Sequence, residues 1–492
     1  MRDTVVLHPG LGVGHLVPTL ELARLFLRRG LAVTVLLVEP PGTPTPAAAR
    51  AAVANNPSIH FHTLPLPATD AAAAAAEEVE ANGVDGKSSP PARDPFAVLH
   101  RANAPLRDYL RSALPSVRAL VLDMFCVDAL DVAAGLGVPA YLFYTSGATS
   151  LAVSLHLPHA QAALGARSFG DVVVGDGAPL RFPGVPPFRP TELPTAALDR
   201  DNALYRKFLR AFERIPESRG ILVNTFEWLE ATAVAALRDG ACVPGRPTPP
   251  VYCVGPLVSG AGEVNNSDKR HACLEWLDAQ PEKSVVFLCF GSMGSFPKKQ
   301  LEAIAIGLEA SGQRFLWVVR NPRRDDGASL VANDHQQPEP DLDELLPEGF
   351  LERTGGRGLV VKSWAPQAEV LRHGATGAFV THCGWNSTLE GVTAGVPLLC
   401  WPLYAEQRVN KVFIVEEARL GVEMAGYDGE TAVAVEEVES KVRWVMGSEG
   451  GRALRERAEV AKEKAMEALE QGGTSHNDLL EFLRGFDGDA SH

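Results

Sequence analysis

Short apolar runs, each bounded by Gly, Pro or charge, recur along the whole chain. They cover residues 4–7, 32–38, 119–122, 140–144 and 221–223, then 285–290, 315–319, 359–361, 378–380 and 398–401. Unbroken apolarity over so few residues predicts strands buried on both faces, as in parallel sheets. Between several of them the apolar positions recur at helical spacing. Over 16–29, Leu20, Ala23 and Leu27 share one face, and Arg28-Arg29 before Gly30 supply a C-terminal stop. Strand alternating with helix specifies an α/β fold built on parallel sheets.

The alternation pauses between about 244 and 282, where 244–250 is crowded with Pro and Gly and 265–270 is polar. A domain junction is expected there. This divides the chain into an N-terminal domain, 1–250, and a C-terminal one, 251–473, each doubly wound and facing the other. Segments 70–94, 169–194 and 321–347 read as loops, the first two in the N-terminal half. A last helix is expected to start at Gly472-Gly473-Thr474-Ser475, capped by Thr474 or Ser475, and to pack back on the first domain.

Composition narrows the partners. A chain of 492 residues that is 46% hydrophobic and 22% charged has ample core for two domains. Its net charge of −14 disfavours nucleic acid or an anionic membrane and points to a small molecule. The seven cysteines are scattered, with no C-x-x-C pair, and read as buried thiols in a reducing compartment. No apolar run approaches the roughly 20 residues that span a bilayer, and the run at residues 5–7 is too short for a secretion signal. A cytoplasmic monomer with no integral membrane segment is expected.

The first strand ends in a glycine-rich turn, Pro9-Gly10-Leu11-Gly12-Val13-Gly14-His15, which almost matches the dinucleotide fingerprint. His15 occupies the third glycine position, where a side chain obstructs close helix packing. Glu39, ending the second strand, keeps an NAD(P)-dependent oxidoreductase open as an alternative. A histidine at the carboxyl end of a strand in an open sheet lies where ligands bind. Asp123, closing the strand over 119–122, can reach the same crevice. The pair would form a base and its orienting carboxylate, although Asp123 taken alone reads more readily as a turn residue or helix N-cap.

The second half holds Trp364-Ala365-Pro366-Gln367, then His382-Cys383-Gly384-Trp385-Asn386-Ser387-Thr388-Leu389-Glu390, then Glu406-Gln407. A helix beginning near Asn386 or Ser387, after a Gly-containing turn, can hold a diphosphate on its free N–H groups. His382, Asn386 and Ser387 add side-chain donors. The Glu390 carboxylate suits two ribose hydroxyls, Trp364 offers a flat face to a base, and Glu406-Gln407 can meet sugar hydroxyls.

Residues 364–407 closely resemble the 44-residue signature box of plant family-1 UDP-dependent glycosyltransferases, without a gap. The likeness extends to the turn with His15, the Asp123 strand, Phe290-Gly291-Ser292 and the closing Gly472-Gly473-Thr474-Ser475. It implies a GT-B fold, two Rossmann-like domains facing across a cleft, with acceptor on the N-terminal domain and UDP-sugar on the C-terminal one. By that likeness Trp364 stacks on uracil, Ala365 and Gln367 contact base and ribose, and Glu390 binds the ribose. Ser292, His382, Asn386 and Ser387 hold the diphosphate, and Gly384 belongs to the same donor site. Trp385, Glu406 and Gln407 face the sugar, with Thr145 reaching it from the other domain. Gln407 favours glucose, and Trp385 stands where members using glucuronic acid carry Arg.

The implied reaction is inverting transfer from UDP-glucose, as co-substrate, to a hydroxyl of a small lipophilic acceptor such as a flavonoid or other phenol. No metal or further cofactor is expected. The triplets Asp341-Leu342-Asp343 and Asp487-Gly488-Asp489 read as solvated. Asp94-Pro95-Phe96 resembles a feature of plant C-glycosyltransferases, which leaves transfer to a ring carbon as an alternative; a turn before a helix explains it equally well. A non-catalytic nucleotide-sugar binding protein is a further alternative.

Overall fold

The computed structural model describes residues 4–39, 50, 53–66, 94–175, 177–258, 270–322, 338–428 and 432–486. Most of the 70–94 segment, most of 265–270, the middle of 321–347 and the triplet at 487–489 lie outside the described residues.

Two parallel sheets organise the chain. The first contains β1 (Thr4–His8), β2 (Ala32–Glu39), β3 (His60–Pro65), β4 (Val117–Asp123), β5 (Ala140–Tyr144), β6 (Ile221–Val223) and β7 (Val251–Cys253), in the order β3-β2-β1-β4-β5-β6-β7. The second contains β8 (Val285–Cys289), β9 (Arg314–Val319), β10 (Gly358–Lys362), β11 (Thr376–Thr381), β12 (Leu398–Cys400) and β13 (Gly421–Glu423), in the order β10-β9-β8-β11-β12-β13. Every pairing is parallel.

Successive strand residues alternate between two cores, as the pleat requires. Val6, Leu120 and Leu122 face one side of the first sheet, while Val5, Leu7, Ala119 and Val121 face the other. In β8, Phe287 and Val285 face one side, and Val286 and Leu288 the other. Both faces are covered, which explains the unbroken apolar runs.

Three strands carried no such run: β3, β7 and β13, the last being Gly421–Glu423. β3 reads His-Phe-His-Thr-Leu-Pro and β7 is only three residues long. All three are edge strands, paired on one side only, where polar residues and brevity are tolerated. The 169–194 segment is not bare loop: it holds a helix, Phe169–Val174, capped by Ser168 and Asp171, and a bridge between Leu180 and Phe188. In the 321–347 segment, Asp341 caps the short helix Leu342–Leu345 by accepting from the N–H groups of Asp343 and Glu344.

The chain ends by returning to its beginning. The helix Glu449–Leu469 packs against the second half, and the helix Thr474–Arg484 that follows packs on β7. Its N-cap is Gly473, with Thr474 already the first helical residue. Phe482 is fully buried among Phe26, Tyr141, Tyr252 and Phe486, with ring centroids 4.9–5.8 Å apart. Asp478 accepts from the Cys253 N–H at 2.7 Å and pairs with Arg238 at 2.6 Å. Phe482→Ala is expected to cost about 3–5 kcal/mol, read as a lowered denaturation midpoint, because the rings around it cannot collapse into the space.

Candidate active site

Each sheet reverses its strand order once, and there the loops leaving the carboxyl ends diverge and open a crevice. In the first sheet the reversal falls between β1 and β4, in the second between β8 and β11. The first crevice receives the turn after β1 and Asp123; the second receives Gly291-Ser292 and the segment 382–384.

His15 is not in the loop itself. The helix Val13–Arg28 begins two residues earlier, after Gly12 at a φ of 93°, so His15 stands on its first turn. Its Nδ1 lies 2.7 Å from Asp123 Oδ2, and the Asp123 side chain is 1% exposed. Asp123 Oδ1 accepts the Phe125 N–H at 3.0 Å, capping a 3-10 turn. The carboxylate thus caps the turn with one oxygen and meets the imidazole with the other. Thr145 Oγ1 lies 3.3 Å from the same Nδ1, and the edge of Phe125 meets the imidazole with centroids 5.1 Å apart. With Nδ1 held by the carboxylate, Nε2 is the nitrogen left for a ligand.

Burial opposes charge on His15, but the Asp123 carboxylate, by charge and hydrogen bond, and then Glu406 outweigh it and hold the imidazole above its ordinary 6.5. Gly10 makes the approach possible: a Cβ there would stand 2.7 Å from Asp123 Oδ1 and 3.1 Å from His15 Cγ.

In the second crevice the helix Trp385–Ala394 has Gly384 as N-cap, no side-chain cap and no acid in its first turn. The first intrahelical bond runs from Thr388 N–H to Gly384 O. The N–H groups of residues 385–387 thus form an open positive end that suits an anion. His382 is wedged between glycines; a Cβ on Gly291 or Gly384 would lie 2.6 or 2.5 Å from its ring. Burial, with Arg320 nearby, pushes it down to about 4. It offers an N–H rather than a charge. Arg320 donates to Ser292 O at 2.7 Å, a cation beside Ser292 that the sequence reading did not single out.

Gln367 Nε2 bridges Ser387 Oγ at 2.8 Å and Glu390 Oε2 at 2.6 Å, so these three form one polar cluster. Burial raises the Glu390 carboxyl, against the Gln367 bond and Arg372. Beside it Ala365 is buried, whereas Trp364 is 54% exposed, with His271 edge-on at 5.8 Å. Gln407 Oε1 accepts the Leu403 and Tyr404 N–H groups, fixing the turn and leaving its amide NH2 to a ligand.

Four side chains knit the crevices together. Asn386 Nδ2 donates to Gly14 O at 3.0 Å, and Ser146 Oγ to Glu406 Oε1 at 3.1 Å. Trp385, 4% exposed, spends its indole N–H on Asn224 O at 2.6 Å. Its ring lies against Gly147, so the indole serves the joint between the halves as well as the cavity wall. Thr145 sits at the His15 side of that joint. Ser363, Cys383 and Ala405, each just before Trp364, Gly384 and Glu406, adopt left-handed φ of 62°, 63° and 53°. Such backbone strain concentrates at functional sites.

The two crevices share one cavity of about 1690 Å³. That exceeds the roughly 300–1,000 Å³ of an ordinary small-molecule pocket and has room for two ligands. Its first-half wall is aromatic: Phe125 and Phe208 lie among Phe96 and Phe212, with centroids 5.0–5.8 Å apart. One polar patch interrupts it, where Tyr144 Oη meets Ser150 Oγ and Ser154 Oγ at 3.0 Å each. These wall residues were not foreseen. The available signal was Ser150 and Ser154 spaced by four in the helix Ala148–Leu164, among the apolar Leu151, Ala152, Val153 and Leu155. Asp94 caps the helix Pro95–Arg101 through the Phe96 and Ala97 N–H groups and pairs with Lys207, so the Asp-Pro-Phe triplet is a helix start whose ring joins the aromatic cluster.

Two Rossmann-like domains sharing one cavity define the GT-B class of glycosyltransferase. Residues 249–449 match the family model for UDP-glucoronosyl and UDP-glucosyl transferase. Anthocyanidin 5,3-O-glucosyltransferase of a Rosa hybrid cultivar is 42% identical, covering 96% of this chain and 96% of the relative. Phloretin 2'-O-glucosyltransferase of Pyrus communis is 42% identical over 98% of this chain and 99% of its own length. Among solved structures, UGT2 of Phytolacca americana, complexed with UDP-2fluoro-glucose and pterostilbene, superposes with a TM-score of 0.83 at 32% identity, covering 99% of this chain and 100% of that one. UGT71G1 of Medicago truncatula with UDP-glucose gives 0.79 at 33% identity, over 99% and 98%. The chain belongs to the plant family-1 UDP-dependent glycosyltransferases, enzymes that take a UDP-sugar as co-substrate. The oxidoreductase alternative is thereby overturned, and among the described residues no helix is long and apolar enough to cross a membrane.

Gly10→Ala is expected to displace the Asp123 carboxylate. In NMR titration, His15 of the wild protein should titrate above 6.5, and both Gly10→Ala and Asp123→Asn should lower that midpoint.

Proposed function

We propose that this enzyme transfers glucose from UDP-glucose to a hydroxyl of a small aromatic acceptor, most suitably a flavonoid or other phenol, giving a β-O-glucoside. The observation that carries the reading is the shared cavity, with His15–Asp123 on one wall and the open helix end with Glu390, Glu406 and Gln407 on the other. The relatives' names, anthocyanidin and phloretin O-glucosyltransferases, support both the sugar and the acceptor class. The domain of residues 1–250 would hold the acceptor and that of 251–473 the donor, working as a cytoplasmic monomer.

In this reading His15 Nε2 removes the acceptor's hydroxyl proton while Asp123 fixes the ring and stabilises the imidazolium. The acceptor oxygen attacks the anomeric carbon, the bond from that carbon to the diphosphate breaks, and UDP leaves from the opposite face with the electron pair. An α-linked donor becomes a β-glucoside. Charge building on the diphosphate meets the N–H groups of residues 385–387, the neutral N–H of His382, and the Ser292 loop with Arg320 beside it. Trp364 stacks on uracil, flanked by Ala365, and Gln367 with Glu390 takes the ribose hydroxyls. Asn386, Ser387 and Gly384 line the diphosphate; Glu406, Gln407, Trp385 and Thr145 enclose the sugar.

A panel of phenols, flavonoids and terpenoid alcohols with UDP-glucose, read by mass spectrometry before and after acid hydrolysis, tests the reaction. Acid-labile glucosides of phenols are expected; acid-stable products would mean transfer to carbon and overturn O-transfer. His15→Ala should keep UDP affinity within about twofold and lose about 10²–10⁴-fold in kcat. Because only neutral imidazole can accept the proton, kcat/KM should fall as pH drops through a His15 midpoint above 6.5. Asp123→Asn should move that acid limb to lower pH and lower the plateau. Trp364→Ala should weaken UDP by about 1–3 kcal/mol in calorimetry.

A further inference from the structure

The short helix Gln407–Val412 belongs to the second half by sequence, yet one of its faces is embedded in the first. Val409 and Val412 are buried in the hydrophobic core that surrounds the Ala148–Leu164 helix. On the opposite face, Asn410 donates to Cys383 O at 3.0 Å, tying the same helix to the turn that opens the diphosphate end. At its start, Gln407 braces residues 403–404, and Glu406 precedes it.

The face turned to the first half carries two cations. Arg408 donates to Thr191 O at 2.7 Å. Lys411 Nζ lies 3.0 Å from Glu192 Oε1, and both side chains are about 5% exposed or less. Glu192 also accepts from Arg189 at 2.8 Å and from Tyr427 Oη at 3.2 Å, and Lys411 reaches Glu423 at 3.3 Å. Residues 193–197, which follow Glu192 directly, line the first-half wall of the shared cavity. One buried ion pair therefore joins the helix behind the sugar-facing residues to the segment behind the acceptor-facing ones.

Buried ion pairs add little net stability over apolar residues of the same size, because desolvation offsets the attraction. In some proteins such a pair instead sets registry, because its two charges are best satisfied in one relative position of the parts that carry them. Here those parts are the two sides of the reaction.

We propose that Glu192 and Lys411 are positioning residues that set the reach between acceptor oxygen and anomeric carbon, and so decide whether the UDP-sugar is transferred or hydrolysed. The inference rests on the transfer reaction proposed above. In hydrolysis, water's oxygen bonds to the anomeric carbon as the bond to the diphosphate breaks. UDP leaves with the electron pair, water's proton passes to His15 and solvent, and free sugar results. A misplacement near 1 Å between reacting groups costs on the order of 100-fold in rate. Water, which diffuses into place, is not penalised in the same way.

The test uses the full chain as Glu192→Gln, Lys411→Met and the double variant, in which no buried charge is left unpaired and folding is expected to be retained, checked by thermal melting. Lys298→Met, which breaks an exposed pair with Glu302 at 3.8 Å, serves as control. With UDP-glucose and the best phenol from the panel, glucoside and free glucose are measured together, and UDP affinity by calorimetry. Expected for the folded double variant are UDP affinity within about twofold of wild type, an acceptor kcat/KM lowered by about 10–100-fold, and a several-fold larger share of UDP-glucose lost to hydrolysis. Unchanged partition between glucoside and glucose in that variant overturns the inference while leaving the transferase reading intact. A wild type that makes no glucoside overturns both.

Discussion

A carboxylate withdrawn from water must have both oxygens occupied, and Asp123 meets that demand with one partner in the backbone and one in an imidazole. The Phe125 N–H fixes where the carboxylate sits, and the carboxylate fixes the orientation of His15. The strand order of the first sheet matters because it sets β4 beside β1 and so delivers Asp123 to the turn after β1. Gly10 matters because any side chain there would occupy the space the pair needs. The aromatic wall matters because Phe125 belongs at once to the cap of Asp123 and to the edge of His15. Removing one hydrogen bond would loosen all three.

The second half solves the same problem with opposite chemistry. Where the first crevice presents an imidazole backed by a carboxylate, the second presents unpaired N–H groups with no acid in the first helical turn. Burial keeps His382 neutral, so the positive character of that crevice comes from backbone dipoles and Arg320 rather than from a histidinium. The halves then meet through a few directional contacts, among them Trp385 with Asn224, Asn386 with Gly14 and Ser146 with Glu406.

Much of this was legible in sequence because parallel strands and glycine-rich turns write themselves locally. Runs such as 285–290 give strands, and residues 364–407 hold most of one wall in a single contiguous stretch. The edge strands β3, β7 and β13 were hidden because an edge accepts polar or very short segments. The aromatic wall was hidden for another reason. Phe96, Phe125, Tyr144, Ser154 and Phe208 come from five separate elements, and each alone reads as ordinary core. The double duty of Trp385, part cavity wall and part joint between halves, likewise depends on Asn224 and Gly147, residues remote in sequence.

The last helix has a consequence for how the molecule is made. Leu479, Phe482 and Phe486 complete the core on one face of the first sheet, beside Val5, Leu7 and Phe26. Domains generally fold as they emerge from the ribosome, the N-terminal one first. In this chain the earliest-made sheet must wait, with one face partly uncovered, until the second half has been synthesised and has passed the tail back across the joint. Completion of the sheet that carries His15 and Asp123 is thereby tied to completion of the whole polypeptide, so a ribosome that stalls late leaves behind a His15 crevice whose sheet is still open on one side.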